Sequence, residues 1–285
     1  MKIGIMPSGF RLPLAEGIRK AAECGAEGVQ VNVLQKPLKM YAWPDKEIDA
    51  VAAECRELGL EISAICGDVG GHALQINEQN MERARELCLT IDLALKLGTR
   101  VVTSHIGVIP EDPADPTRLN MYHALREVAL YAAPRGVTMA IETGPDRGAR
   151  LREFLDELSQ PGIGVNLDPG NMAMITGEDP CVSAAALAPY VRHTHLKDGC
   201  KYCECDPEKV YAAFASGGIK QLFAEHGAAF MERPIGSGDV DWPRYLAKLR
   251  ELGLDRYPAV IEREVSPRSV VETREAVKFL RRLIG

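Results

Sequence analysis

The sequence predicts an α/β fold, a single (β/α)8 TIM barrel spanning residues 1–285, on three observations. Short β-rich runs alternate eight times with longer helical patterns, the order that builds a parallel sheet covered by helices. Gly25, Gly59, Gly98, Gly136 and Gly253 each stand between a helical pattern and the next β-rich run, where a left-handed residue closes a helix. No Gly-x-Gly-x-x-Gly turn follows the first strand, which removes the main signature of an open dinucleotide-binding sheet. The chain length also suits one barrel, for which about 250 residues is typical.

The expected strands are Lys2–Met6, Gly28–Val31, Glu61–Ile65, Arg100–Ser104, Thr138–Glu142, Gly164–Asp168, Val191–Leu196 and Ala259–Ile261. The expected helices are Leu14–Cys24, Asp45–Leu58, Met81–Leu97, Asn120–Ala133, Leu151–Leu158, Cys181–Ala188, Trp242–Leu252 and Val270–Leu283. In the third helix Ala84, Leu87, Cys88, Ile91, Ala94 and Leu95 form an apolar stripe, while Glu82, Arg85, Glu86 and Lys96 face water. The connection from 199 to 241 is longer than an ordinary βα loop. Helical signal at Glu208–Ala215 marks it as partly ordered, and its place after the seventh strand suits a cover for the barrel mouth or an oligomer contact.

Hydrophobic residues make up 46% and charged residues 26%, enough for a large core and too apolar for disorder. A net charge of -6 without a basic cluster argues against nucleic acid as a partner. No apolar run approaches the ~20 residues of a membrane helix, and Met1–Ile5 is strand-like with no signal-peptide pattern. No membrane partner and a cytoplasmic location are therefore expected. The eight cysteines read as free thiols, and Cys200, Cys203 and Cys205 supply only one Cys-x-x-Cys pair, too few for a zinc finger.

In a barrel, chemistry sits at the carboxyl ends of the strands. Glu142, Asp168, His195 and Glu262 stand there on the last four strands, with Ile141, Leu167, Leu196 and Ile261 on the opposite parity. If the apolar neighbours face the helices, the three acids and the imidazole point inward, where unpaired carboxylates are costly to desolvate. Each alone is an ordinary strand-end polar group. Four converging on one mouth are a ligand set for one divalent cation.

Four stretches sharpen this reading: Ala140–Gly144 (AIETG), Leu167–Asn171 (LDPGN), His193–Asp198 (HTHLKD) and Pro234–Trp242 (PIGSGDVDW). With them the chain resembles, over nearly its whole length, the xylose isomerase-like TIM barrels of sugar phosphate isomerases and epimerases, among them ketose 3-epimerases. The resemblance implies a metal held by Glu142, Asp168, His195 and Glu262, with Glu142 and Glu262 also acting as acid and base on opposite faces of a sugar. The cation expected is a single divalent ion, Mn2+ ahead of Mg2+, Co2+ and Zn2+, and the assembly expected is a homo-oligomer, dimer or tetramer. Ser237 stands where family members often carry an acid, a departure that bears on substrate contacts more than on the metal.

The chemistry can be argued from the donor set. A cation chelating a carbonyl and its neighbouring hydroxyl acidifies the intervening C–H by stabilising the enediolate. Two flanking carboxylates then remove the proton from one face and return it to the other, which is epimerisation. Return to the adjacent carbon interconverts aldose and ketose. Loss of a hydroxyl makes the enzyme a keto-inositol or keto-sugar dehydratase, the main alternative. An abasic-site endonuclease needs more than the six histidines present and a basic face; a non-catalytic sugar-binding protein would bind no metal.

Further residues fall near the mouth. His105 shares the inward parity of Val101 and Thr103 and suits a contact with substrate or a metal ligand, or a structural role. Lys197 suits a sugar hydroxyl, a phosphate or a rim salt bridge; Asn171 suits a hydroxyl contact or a turn cap. His72, after Gly70 and Gly71, falls in a loop and suits either a solvated position or the border of the pocket. Glu264, farther out on the face of Glu262, is its rival as ligand.

Overall fold

The computed structural model describes residues 1–35, 37–68 and 74–285. Its strands β1 (Ile3–Ile5), β2 (Gly28–Asn32), β3 (Glu61–Cys66), β4 (Val101–Ser104), β5 (Thr138–Glu142), β6 (Ile163–Leu167), β7 (Val191–Leu196) and β10 (Ala259–Ile261) form a closed barrel. All its ladders are parallel, in the order β1-β10-β7-β6-β5-β4-β3-β2. Ile3, Ile5, Val29, Val31, Met139, Val165 and Ala259 are buried, as expected of strands covered on both faces. The ring of helices comprises α1 (Leu14–Glu23), α2 (Asp45–Glu57), α3 (Asn80–Leu97), α4 (Pro116–Ala132), α5 (Gly148–Leu158), α7 (Pro180–Leu187), α10 (Trp242–Glu251) and α11 (Ser269–Ile284). Within α3, Ala84, Leu87, Ile91 and Ala94 are buried as the stripe requires; Cys88 and Leu95 lie at its edge, and Leu93 and Leu97 extend it.

The helix ends follow local chemistry. Gly98 closes α3 at φ 79° with its N–H bonded to the last turn, and the other four junction glycines are also left-handed. At the starts, Asp followed by Pro recurs. Asp115 caps α4 through the N–H groups of Thr117 and Arg118, and Asp179 caps α7 through Cys181. The Asp115-Pro116 cap is why α4 begins four residues before the expected Asn120. Asp168-Pro169 is the same device in a different place: the sixth strand ends at Leu167 rather than at Asp168, and Asp168 Oδ1 caps the short turn α6 (Pro169–Asn171).

Between β7 and β10 the chain makes an excursion. Strands β8 (Asp198–Lys201) and β9 (Phe230–Arg233) pair antiparallel, flanking α8 (Pro207–Ser216) and α9 (Ile219–His226). The expected helix at Glu208–Ala215 is α8; α9 and the two strands are short and are not foreseen from the sequence. The excursion has its own small core, in which Val210, Tyr211, Ala229 and Phe230 pack on Met174 and Ile175 of the turn after β6. Asp198 ties it down, accepting hydrogen bonds from the backbone N–H groups of Gly199, Gly236, Gly238 and Val240 and from Trp242 Nε1. This explains the pairing of HTHLKD with PIGSGDVDW: the aspartate of one motif organises the loop of the other.

Candidate metal centre at the barrel mouth

Glu142, Asp168, His195 and Glu262 lie at the carboxyl ends of β5, β6, β7 and β10, four neighbouring strands of the closed sheet. Register keeps their inward faces level: Glu142 pairs with Asn166, and His195 with Val260. His195 Nδ1 lies 3.3 Å from Glu142 Oε1, 3.5 Å from Asp168 Oδ2 and 3.1 Å from Glu262 Oε2. One ligand atom from each of the four falls within 4.8 Å of the others. Among the described residues this is the only group of three or more such side chains so arranged, and Cys200, Cys203 and Cys205 form no second one.

The donor set fits a divalent cation on one observation above the rest. Asp168 Oδ2, His195 Nδ1 and Glu262 Oε2 are buried and make no hydrogen bond, although such atoms normally do. They face one another. Lys197 Nζ sits 2.8 Å from Glu262 Oε2 as an ion pair without hydrogen-bond alignment, so it does not supply the missing partner. Three carboxylates and an imidazole nitrogen suit Mn2+ or Mg2+ better than a thiolate-seeking ion.

Among the protein's own charges the site is strongly polarised. Burial alone would push the Glu262 carboxyl up, but Lys197 and His195 hold it well below its usual range. Glu142 is also lowered, His195 and His105 outweighing burial, whereas burial prevails at Asp168 and raises it. The His195 imidazole is driven well above its usual value against burial by Glu142 and Glu262.

The other expected residues fall in three places. His105 stands at the mouth, its Nδ1 2.9 Å from Asp68 Oδ2 and its Nε2 3.8 Å from Glu142 Oε1. Burial opposes its charge, but Glu142 and Asp68 push it up to about 10. Asn171 lies beside the cluster: its backbone N–H donates to the capping Asp168 Oδ1, and its side chain donates to Glu142 Oε1 at 3.1 Å. Lys197 bridges Glu262 and the outlying Glu264, the latter at 3.5 Å. Glu264 is outside the cluster, its side chain 54% exposed, because the chain has left the barrel by that point. His72 lies outside the described residues.

Pattern reading missed five polar side chains that shape the site. Asn166 accepts through Oδ1 from His193 Nδ1 at 2.8 Å and donates from Nδ2 to Glu142 Oε2 at 3.4 Å. Gln30 touches His195, Asp68 touches His105, and Asp198 anchors the excursion. Tyr211, from α8, packs its ring 5.6 Å from that of His105. A Cβ on Gly144 would come within 2.4 Å of the Tyr211 hydroxyl, so the glycine of AIETG makes room for it. Gln30 and Asn166 did leave a signal: an amide inside an otherwise apolar strand run needs a buried partner.

No curated protein matches the chain at a significant level. Solved structures share its fold. A xylose isomerase domain protein from Planctomyces limnophilus is 23% identical, with 99% of this chain and 95% of that one covered at a TM-score of 0.77. The apo 3-keto-D-glucoside 4-epimerase of E. coli is 17% identical, with 99% of each chain covered and a TM-score of 0.72. The probable 3-DHS dehydratase AsbF of Bacillus anthracis, involved in petrobactin synthesis, is 20% identical, with 99% of each covered and a TM-score of 0.71. Residues 18–283 match the family model described as xylose isomerase-like TIM barrel, and the chain belongs to that family.

Proposed function

We propose that the protein is a divalent-metal-dependent isomerase or epimerase of a ketose or related keto-polyol, with Glu142 and Glu262 as its acid and base. The observation that carries this reading is the set of three orphaned, buried ligand atoms facing one another beside Glu142. A divalent ion held by Glu142, Asp168, His195 and Glu262, Mn2+ by preference, supplies Lewis-acid polarisation of a carbonyl and its neighbouring hydroxyl. The chain's own residues do the rest. Glu142 and Glu262 come from strands separated by β6 and β7, which supports roles for their carboxylates on opposite faces of a bound substrate. One takes the proton from carbon and the other returns it to the opposite face. Asn171 and Asn166 orient Glu142, Lys197 keeps Glu262 ionised as a base, and His105 presents a charged N–H toward the substrate's oxygens.

A second reading, dehydration of a keto-inositol or keto-sugar, draws on the asymmetry of the two glutamates. Of the two, only Glu262 has the Lys197 ammonium against it, where it can give a proton to a departing hydroxyl. Elemental analysis of purified protein, followed by a panel of ketoses and keto-inositols in deuterated water, tests both. Epimerisation places solvent deuterium at the inverted carbon, and dehydration yields an unsaturated ketone with ultraviolet absorbance. Turnover of a ketose without label, or binding of no divalent metal, would overturn the proposal.

A further inference from the structure

Gln30 is a glutamine where a barrel interior normally carries branched apolar side chains, and it is fully buried. It belongs to β2, separated from β7 around the barrel by β1 and β10. Its Oε1 lies 2.9 Å from His195 Nε2, and its Nε2 donates to Thr103 Oγ1 on β4 at 2.9 Å. The amide therefore spans the interior, with Thr103 at one end and the candidate metal-binding imidazole at the other.

We infer that Gln30, locked by Thr103, is a positioning residue that sets which nitrogen of His195 is offered to the metal. The inference rests on the metal centre proposed above. The amide N–H donates to Thr103 Oγ1, and the carbonyl oxygen faces His195 Nε2. A carbonyl oxygen can only accept, so His195 carries a proton on Nε2 and keeps the Nδ1 lone pair, once its second proton has left, directed at Glu142, Asp168 and Glu262. With the amide reversed, its N–H would require a lone pair on Nε2. The proton would then sit on Nδ1, in the space the cation needs. Thr103 is itself fully buried on the inward face of β4, which leaves the amide no water with which to reverse.

The test measures Mn2+ affinity from the spectroscopic signal of the free ion, and the His195 ring state from long-range 1H–15N spectra of Mg2+-loaded, 15N-histidine protein. Gln30→Met has nearly the same shape and no acceptor. It is expected to weaken Mn2+ binding about 10- to 100-fold, the usual effect of removing the partner of a ligating histidine. It should also remove the hydrogen-bonded Nε2–H signal of His195. Gln30→Glu restores an acceptor and should retain binding at or above the wild-type level. Thr103→Val frees the other end of the amide and should weaken binding in the same direction by less. If Gln30→Met fails to fold, Thr103→Val and Gln30→Glu carry the test through the same two signals. Wild-type Mn2+ affinity with an unchanged His195 spectrum in Gln30→Met, or in Thr103→Val when Gln30→Met fails to fold, would overturn the inference while leaving the metal centre standing. Wild-type protein that binds neither ion overturns both.

Discussion

The barrel mouth and the excursion between β7 and β10 are adjacent, yet they are built on different principles. At the mouth, four charged groups come from four separate strands and are held by backbone ladders that belong to the main core. In the excursion, local contacts suffice: two paired strands, two short helices and a small core resting on Met174 and Ile175. The barrel contributes charge and rigidity, whereas the excursion contributes shape, delivering Tyr211 beside His105. On the proposed function, the difference teaches that the barrel would set the reaction type and the excursion the substrate choice. Substitutions in the two regions should therefore separate in kinetics and in stability.

The largest expected effect lies at the mouth. Glu142→Gln and Glu262→Gln should each lower kcat by about 10²- to 10⁴-fold, the range of general acid–base catalysis, with a much smaller change in substrate binding. Glu264→Gln is the control on the same strand face. Loss of metal in that variant, with full activity in Glu262→Gln, would move the site outward to Glu264. Next, Asp168→Asn and His195→Ala should weaken metal binding by more than the about 10- to 100-fold expected for an outer partner. Their circular dichroism and melting in metal-free buffer should stay close to wild type. Full metal occupancy in both would break the proposed centre.

The excursion should respond in the opposite sense. Lys201 pairs with Phe230 at the open end of the β8–β9 ladder, so residues 202–229 can be replaced by an Asn-Gly hairpin turn. That variant should keep metal and fold while kcat/KM falls on the order of 10- to 100-fold, about 1.4 to 2.8 kcal/mol, mainly through KM. Unchanged kinetics would remove any role for the excursion at the mouth.

The effect furthest from turnover, on stability alone, concerns a carboxyl that joins neighbouring mouth loops without entering the chemistry. Asp146 accepts the Ile109 N–H with both oxygens, and burial pushes its carboxyl up to about 7 from an ordinary 3.8. The folded chain holds this proton more tightly than the unfolded chain. Its contribution therefore favours folding most below about pH 4, declines as pH rises to about 7 and is flat above. Each decade of proton affinity is worth about 1.4 kcal/mol, which bounds the effect at about 4 kcal/mol. Asp146→Asn should flatten that part of the stability profile in urea titrations between pH 4 and 8, and raise stability at pH 8. A slope identical to wild type would assign the proton elsewhere.

Much of the fold was legible because its signals are local. Strand alternation, left-handed glycines and the parity that turns Glu142, His195 and Glu262 away from Ile141, Leu196 and Ile261 are properties of a few residues at a time. The errors were local too. Asp168 reads as the end of a strand, and only the Asp-Pro cap shared with Asp115 and Asp179 reveals that one of its oxygens is already engaged. The excursion was visible as length and one helix, since short strands that pair only with each other carry little periodicity.

The sequence by itself determined the barrel, its order of strands and helices, and the four side chains presented at its carboxyl end, because periodicity and parity act through the backbone. Only the tertiary structure decided which atoms meet. Gln30 and His195 are 165 residues apart, and their 2.9 Å contact exists because barrel closure leaves only β1 and β10 between β2 and β7. Asp68 reaches His105, Tyr211 reaches the space beside Gly144, and Asp198 gathers the loop before α10 for the same reason. Each contact depends on the curvature and register of a closed sheet, which no spacing along the chain encodes.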